Sequence, residues 1–286
     1  MKNLVVLAVA SALVVAISVF AAGDSNAHDS APVTPEKKVR VLIVVGHDNA
    51  VWGAQFKQVR EVDLNRELAL HVYDLLKTDP LFDPVITQRD GDYIPELLDF
   101  FSTREKDIRA FREERKRLYV GEMGKAAYEP DDVKHNRVTD DVAMTLYGTT
   151  LWSKEQHVDA IINVHFNDYP GRPYGKAGVY KGFSLYVPDM SLRNGAMSRP
   201  LGEAVYAELL KTQPPSNLPV EAGGVLESKD LIALGARNSL DIPAILVEYA
   251  YIAEPRLHDA GRDDVLWGMA QATYRGIKNF YTESTP

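Results

Sequence analysis

Three apolar runs in this chain each end in a polar residue that can bind a metal or transfer a proton. The runs and their polar ends are residues 39–45 with His47, 158–164 with His165, and 243–247 with Glu248. Short runs rich in Val and Ile are typical of buried strands in a parallel sheet. Since ligands of open α/β sheets bind beyond the carboxyl ends of the strands, we expect the three side chains to share one crevice.

Segments with helical spacing of their apolar residues alternate with these runs. In residues 62–76, for example, Leu64, Leu68 and Val72 recur every four positions. The predicted strands are 39–45, 84–87, 158–164, 183–187 and 243–247, and the predicted helices are 62–76, 200–211, 228–236 and 265–281. This alternation predicts an α/β fold, a single domain with a twisted, mostly parallel sheet flanked by helices.

Residues 95–153 do not follow the alternation. The stretch 104–117 is dense in charges of both signs, and a second helical pattern follows at 140–154. We therefore predict a mostly helical insertion at 95–153. One possibility is a solvent-exposed segment that only covers one face of the sheet. The other is a lid, or a binding surface for an activator or regulator protein.

The chain begins with an apolar stretch at residues 1–22, in which Lys2 is the single charged side chain. Small residues near its end predict a signal peptide removed on export. The stretch also approaches the roughly 17–25 residues that span a bilayer, so an uncleaved membrane anchor is the alternative. Residues 23–38 are polar and predict a linker. We expect residues 39–286 to form an exported catalytic domain, periplasmic or secreted.

The composition and motifs of the chain argue against some classes of partner and limit which side chains can bind a metal. The net charge of −8 argues against nucleic acid as a partner. The chain has no Gly-rich phosphate loop and no dinucleotide fingerprint, which argues against a nucleotide. Because the chain has no cysteine, any transition metal is held by histidine and carboxylate.

Two histidines and one carboxylate are the ligand set of a catalytic zinc that keeps one open position. We interpret His47, Glu61 and His165 as the ligands of one zinc ion, with Glu61 opening the helix at 62–76. A metal-bound water would be the nucleophile. Glu248 would take its proton as general base and pass it to a leaving nitrogen as general acid. These parts predict hydrolysis of an amide.

Each of these residues also has an ordinary structural explanation. A histidine that ends an apolar strand can be a satisfied core residue, and Glu61 suits the first turn of a helix because of the helix dipole. Asp63, Asn65 and Asn167 either orient the ligands and contact substrate, or they are plain helix-surface and turn residues.

Taken in order along the chain, the motifs resemble those of the zinc-dependent N-acetylmuramoyl-L-alanine amidases of the type-3 family, which cut bacterial peptidoglycan. The matching motifs are Gly46-His47, Glu61-x-Asp63-x-Asn65, Arg89-Asp90, His165-x-Asn167 and Val247-Glu248. The resemblance implies one zinc held by His47, Glu61 and His165, a catalytic Glu248, and peptidoglycan as substrate. The long segment 95–153 and Ala250, where the family usually has glycine, depart from the pattern.

Three functions remain open at this point. The first is an exported zinc amidase that cleaves the bond between N-acetylmuramic acid and L-alanine. The second is a related exported zinc amidohydrolase or peptidase that acts on another amide. The third is a non-catalytic wall-binding protein with the same fold, which the complete set of four site residues argues against.

Overall fold

The computed structural model describes residues 37–123, 138–169, 171–173, 175–229, 231–234 and 241–283. The predicted signal peptide, most of the predicted linker and residues 124–137 of the predicted insertion lie outside these residues. Within them, residues from Lys38 onward belong to one unit. No helix in the described ranges is long and apolar enough to cross a membrane.

The central sheet has six strands in the order β4-β1-β7-β10-β8-β9. Neighbouring strands run parallel everywhere except between β10 and β8, which pair antiparallel. The prediction of a mostly parallel sheet flanked by helices is confirmed. In the described residues the strands are β1 (Val39–Val45), β2 (Gln55–Phe56), β3 (Val59–Arg60), β4 (Phe82–Ile86), β5 (Gln88–Arg89), β6 (Asp92–Tyr93), β7 (Ala160–Asn167), β8 (Ser184–Pro188), β9 (Val225–Ser228) and β10 (Ala244–Tyr251).

Helices cover both faces of the sheet. They are α1 (Glu61–Thr78), α2 (Pro95–Thr103), α3 (Glu105–Met123), α4 (Asp140–Glu155), α5 (Arg193–Leu210) and α6 (Arg262–Glu283). On one face, α1, α5 and α6 bury an apolar core that includes Ile162 and Val164 of β7. On the other face, α2, α3 and α4 bury a second core that includes Ile161 of the same strand. Alternate residues of β7 therefore point to opposite cores.

Among its described residues, the segment 95–153 is helical except at Arg104 and at 138–139. Pro95 begins α2, and Thr139 caps the start of α4 by accepting a hydrogen bond from the Val142 N–H. Leu97, Phe100, Ile108, Phe111 and Tyr147 of these helices are buried together with Leu42 and Ala244 of the sheet. The segment thus supplies half of the second core, so the sheet would be uncovered without it.

One predicted helix is wrong. Residues 228–236 were expected to form a helix, but Val225–Ser228 forms strand β9 at the edge of the sheet, and Ile232–Leu234 forms a short 3₁₀ turn. Four residues are too few for a strand period to stand out in the sequence. Pairing with β8 along Leu185–Pro188 makes this segment extended.

Candidate metal centre and catalytic cleft

Strand pairing aligns two of the four predicted site residues. In the parallel ladder between β7 and β10, the Cα of Glu248 is the register partner of the Cα of His165. Because side chains alternate along a strand, His165 lies on the face of Ile161, and Glu248 lies on the face of Ala244. Both of those apolar residues pack against the α2–α4 layer. The imidazole and the carboxylate therefore emerge side by side, on the same face of the sheet.

His47 follows the end of β1 in a left-handed backbone conformation, with φ of 64°. For a residue other than glycine this costs about 1–2 kcal/mol, and such strain is concentrated at functional sites. The surrounding structure holds the turn in place. Gln88 Nε2 donates to the His47 carbonyl at 2.6 Å, and Asn65 Nδ2 donates to the Gly46 carbonyl at 2.8 Å.

Glu61 is the first residue of α1, and its carboxylate lies between the two imidazoles. Its Oε2 is 3.1 Å from His47 Nε2, and its Oε1 is 3.0 Å from His165 Nδ1. Two backbone N–H groups also donate to the carboxylate, Ala54 to Oε2 at 2.8 Å and Phe166 to Oε1 at 3.3 Å. Loop, strand and helix thus converge on this one side chain.

The charge of Glu61 is stabilised by these contacts. Burial alone raises the pKa of the Glu61 carboxyl, but the hydrogen bonds to His165 and His47 outweigh it and hold the pKa well below its usual range. Glu61 is therefore an ionised carboxylate at neutral pH. An anionic oxygen donor aligned with two imidazoles is a metal-binding arrangement.

Two glycines allow the side chains to approach one another. A Cβ at Gly46 would lie 2.5 Å from the ring of His165, and a Cβ at Gly53 would lie 2.3 Å from Glu61 Oε2. Gly53 also has a positive φ of 74°, which favours glycine. Any larger residue at either position would displace the donor atoms.

The donor atoms fit a zinc ion. One ligand atom from each of His47, Glu61 and His165 lies within 4.8 Å of the others. Zinc bonds of about 2.0–2.2 Å place tetrahedral ligand atoms about 3–4 Å apart. Three protein ligands of the N, N, O type also match catalytic rather than structural zinc sites, which have four.

Glu248 has the environment of a proton carrier. Burial raises the pKa of its carboxyl well above the ordinary value, and the nearby charges of Glu61 and Glu221 raise it further. Its Oε2 is buried and has no hydrogen-bond partner among the described residues. A buried carboxyl oxygen without a partner is costly and marks a position where a ligand or reactant binds.

The three remaining predicted residues make contacts beside the centre. Asn65 holds the Gly46 carbonyl, as described above. Asp63 pairs with the guanidinium of Arg60 through two bonds of 2.6 and 2.7 Å. Asn167 Nδ2 donates to Glu221 Oε1 at 2.8 Å. Each of the three side chains is therefore hydrogen-bonded to another protein group. None of these side chains touches a ligand atom of the centre.

Glu221 was missed in the sequence. It is buried in a 3₁₀ turn and accepts hydrogen bonds from Asn167, from Tyr186 at 3.1 Å and from Tyr251 at 2.7 Å. It lies in an irregular stretch between α5 and β9, where no periodic pattern marks a buried carboxylate. Only the fold brings it to Glu248.

A cavity of about 170 Å³ adjoins the centre between α4 and the sheet. Both histidines line it, and so do Val51 of the loop and Thr145 and Thr149 of α4. The two threonine hydroxyls donate to carbonyls of their own helix. Segment 95–153 therefore forms one wall of the cleft at the centre.

Comparison with known proteins identifies the family. The model of the N-acetylmuramoyl-L-alanine amidase family matches residues 126–279, more than half of the chain. The chain belongs to this family. The matched residues include His165 and Glu248, while His47 and Glu61 precede them. The family match confirms the resemblance seen in the sequence motifs, and it makes the protein an amidase-family enzyme. The search of curated proteins found no match.

Solved structures of amidases share the fold. The CwlD amidase of Clostridioides difficile, determined in complex with the GerS lipoprotein, is 15% identical with a TM-score of 0.57, covering 86% of this chain and 100% of that one. The Ami1 amidase of Mycobacterium smegmatis is 13% identical with a TM-score of 0.57, covering 86% and 98%. The AmiC2 amidase of Nostoc punctiforme is 19% identical with a TM-score of 0.52, again covering 86% and 98%.

Proposed function

We propose that the protein is a zinc-dependent hydrolase that cleaves the amide between N-acetylmuramic acid and L-alanine in bacterial peptidoglycan. Membership of the amidase family supports the substrate class. The observation that carries the mechanism is the cluster of His47, Glu61 and His165, with Glu248 as the strand neighbour of His165. A zinc ion bound there supplies a Lewis acid and lowers the pKa of a water molecule.

The chain's own residues supply the proton transfers. Glu248 accepts a proton from the attacking water as general base and then delivers it to the leaving nitrogen of L-alanine. Its raised pKa favours holding that proton between the two steps. Glu61 remains ionised. Two backbone N–H groups fix its carboxylate, and the carboxylate in turn keeps both imidazoles oriented.

Digestion of purified peptidoglycan tests the proposal. We expect the protein lacking residues 1–27 to release intact stem peptides that begin with L-alanine, and to contain about one zinc per chain. Glu248→Gln is the matched control and should release stem peptides more than about a hundredfold more slowly at the same protein concentration. Products cut within the stem peptide would instead indicate an amidohydrolase or peptidase on another amide, and binding without cleavage would indicate a wall-binding protein.

We further propose that segment 95–153 governs access to the cleft and is the contact surface for an activator or regulator protein. Its helix α4 lines the cavity beside both histidines, which supports a lid or wall. The CwlD amidase was determined with a lipoprotein partner, which supports a partner for this chain as well. Substitutions on the exposed side of α3 test this proposal. We expect them to weaken binding of the partner and to leave the basal activity unchanged.

Export is proposed from the apolar residues 1–22. Peptidoglycan lies outside the cytoplasm, so the substrate is consistent with this prediction. Fractionation of cells that produce the full chain, with mass spectrometry of its N-terminus, separates a cleaved secretory signal from a retained membrane anchor.

A further inference from the structure

Trp52 is exposed beside the candidate metal centre. The chain has three tryptophans. Trp152 is buried, whereas 45% of Trp52 and 38% of Trp267 is exposed. Trp267 lies on α6 and packs edge-on against the ring of His71. Trp52 instead lies in the loop between β1 and β2, next to Val51, which is 44% exposed.

This loop is part of the centre itself. Gly53, the next residue, packs so closely that an added Cβ would meet both Glu61 Oε2 and the His47 ring. The Trp52 carbonyl accepts the Val62 N–H at 3.1 Å, at the start of α1. Val51 lines the cavity that reaches both histidines. The exposed indole is therefore at the rim of the cleft, one residue from a glycine that touches two candidate ligands.

The indole is held in its exposed position. Its Nε1 donates to the Asn49 carbonyl at 2.7 Å. The guanidinium of Arg60 lies 4.9 Å from the ring centroid, and Asp63 fixes that guanidinium by two hydrogen bonds. The guanidinium lies over part of the ring with its charge paired to Asp63, and the exposed 45% of the residue is the surface that a ligand can contact. A ring that is already ordered loses little conformational entropy when a ligand binds.

We propose that Trp52 is a stacking surface for a saccharide ring of the glycan strand. This inference rests on the proposed function, because it assigns the position of the glycan relative to the amide. Pyranose rings present a face of C–H groups, and an aromatic ring packs against such a face and buries apolar area. In the intact substrate the sugars are uncharged, because the lactyl carboxyl of N-acetylmuramic acid is taken up in the amide, and this fits an indole whose neighbouring Arg60 guanidinium is already paired. The stem peptide carries carboxylates, which this surface does not recognise.

The test uses peptide-free glycan strands, so that binding is measured without cleavage; these strands carry a free lactyl carboxylate in place of the amide, and their pyranose faces are unchanged. In a Trp267→Phe background, the fluorescence of exposed tryptophan comes from Trp52. We expect glycan strands to shift or quench this emission, and we expect Trp52→Ala to weaken strand binding at least tenfold. Trp52→Phe keeps an aromatic face and should retain most of the binding. Trp267→Ala is the matched control and should bind like the unmodified protein.

Kinetics on intact peptidoglycan supply the second measurement. Trp52→Ala should raise KM with little change in kcat, because lost substrate binding away from the reacting atoms affects KM. Zinc content and Tm should stay as in the unmodified protein. Unchanged strand binding in Trp52→Ala, or a lower kcat with unchanged KM, would overturn the inference. If the unmodified protein releases no stem peptides, the proposed function fails, whereas the strand-binding result still reports on Trp52 alone.

Discussion

At the scale of single residues, the sequence predicted the centre because its chemistry is concentrated at strand ends. His47, His165 and Glu248 each follow or end an apolar run, and the carboxyl ends of parallel strands meet at one edge of the sheet. The structure brings His47 and His165 to Glu61 as expected. Glu221 could not be found in this way, because it lies in an irregular turn and its partners are on three different strands, namely Asn167, Tyr186 and Tyr251.

Replacing Glu248 by glutamine should remove the proposed proton carrier and keep the shape of the side chain. We expect Glu248→Gln to retain zinc and to lose more than about a hundredfold in the rate of stem-peptide release, within the 10²–10⁴ range of general acid–base catalysis. Release of stem peptides from purified peptidoglycan measures this rate. Glu203→Gln, an exposed glutamate on α5, is the control and should be fully active. Full activity in Glu248→Gln would assign the proton transfer elsewhere.

Replacing His165 by alanine should remove one candidate ligand. We expect His165→Ala to lose zinc measured by elemental analysis after dialysis, because two ligands hold the ion much less tightly than three. His71→Ala is the control, because His71 lies on α1 and its Nε2 is 3.1 Å from Asp263 of α6. This variant should keep its zinc. Full zinc occupancy in His165→Ala would contradict the ligand assignment.

At the scale of elements, long periodic segments were predicted well and short ones poorly. The bounds of β1 match the prediction, and α1 and α6 each extend the predicted helix by a few residues. Strand β9 was not predicted, the helix predicted at 228–236 is wrong, and nothing in the sequence shows that β8 runs antiparallel to β10. Both features depend on which strands pair with one another, which local patterns do not encode.

Helix α4 illustrates why the role of 95–153 is tested by substitution rather than deletion. Deleting the segment would expose the second apolar core, including Leu42 and Ile161, so loss of activity would report unfolding. Thr145→Phe places a large ring in the cavity beside both histidines. We expect it to lower activity at least tenfold on peptidoglycan while Tm changes by only a few degrees. Thr145→Ser should behave like the unmodified protein. Full activity in Thr145→Phe would mean that the substrate does not pass through or bind in this cavity.

At the scale of the whole molecule, α1 and α6 are joined by a buried acidic group. Asp79 follows α1, and its Oδ2 accepts hydrogen bonds from Lys278 at 2.8 Å and from Tyr274 at 2.7 Å. Burial raises the pKa of Asp79, but the hydrogen bonds from Lys278, the Leu81 N–H and Tyr274 outweigh it, so the pKa is lowered in the folded protein. The ionised form is therefore bound more tightly in the folded than in the unfolded chain.

This contact predicts a pH-dependent share of stability. Because the pKa of Asp79 is lower in the folded protein, its ionisation stabilises the fold at pH values above its unfolded-state pKa of about 3.9. This contribution is lost as the pH falls through the pKa of Asp79 in the folded protein. Asp79→Asn should reduce the free energy of unfolding by about 1–3 kcal/mol at pH 7, and the difference should shrink below about pH 4. Urea unfolding at several pH values measures it. Asp83→Asn, at a side chain that is 52% exposed, should change little, and a pH-independent loss in Asp79→Asn would contradict the assignment.

From Ala244 to Glu248, β10 pairs residue by residue with β7, and this register has a consequence for how the chain folds. Sliding β10 by a single position would bring Val247 or Tyr249 opposite His165 and turn the acid into the opposite layer. In that arrangement the proposed proton carrier would be absent from the cleft, and a carboxyl group would be buried among the apolar residues of α5 and α6. The pairing register that packs the core is thus also the one that the proposed chemistry needs.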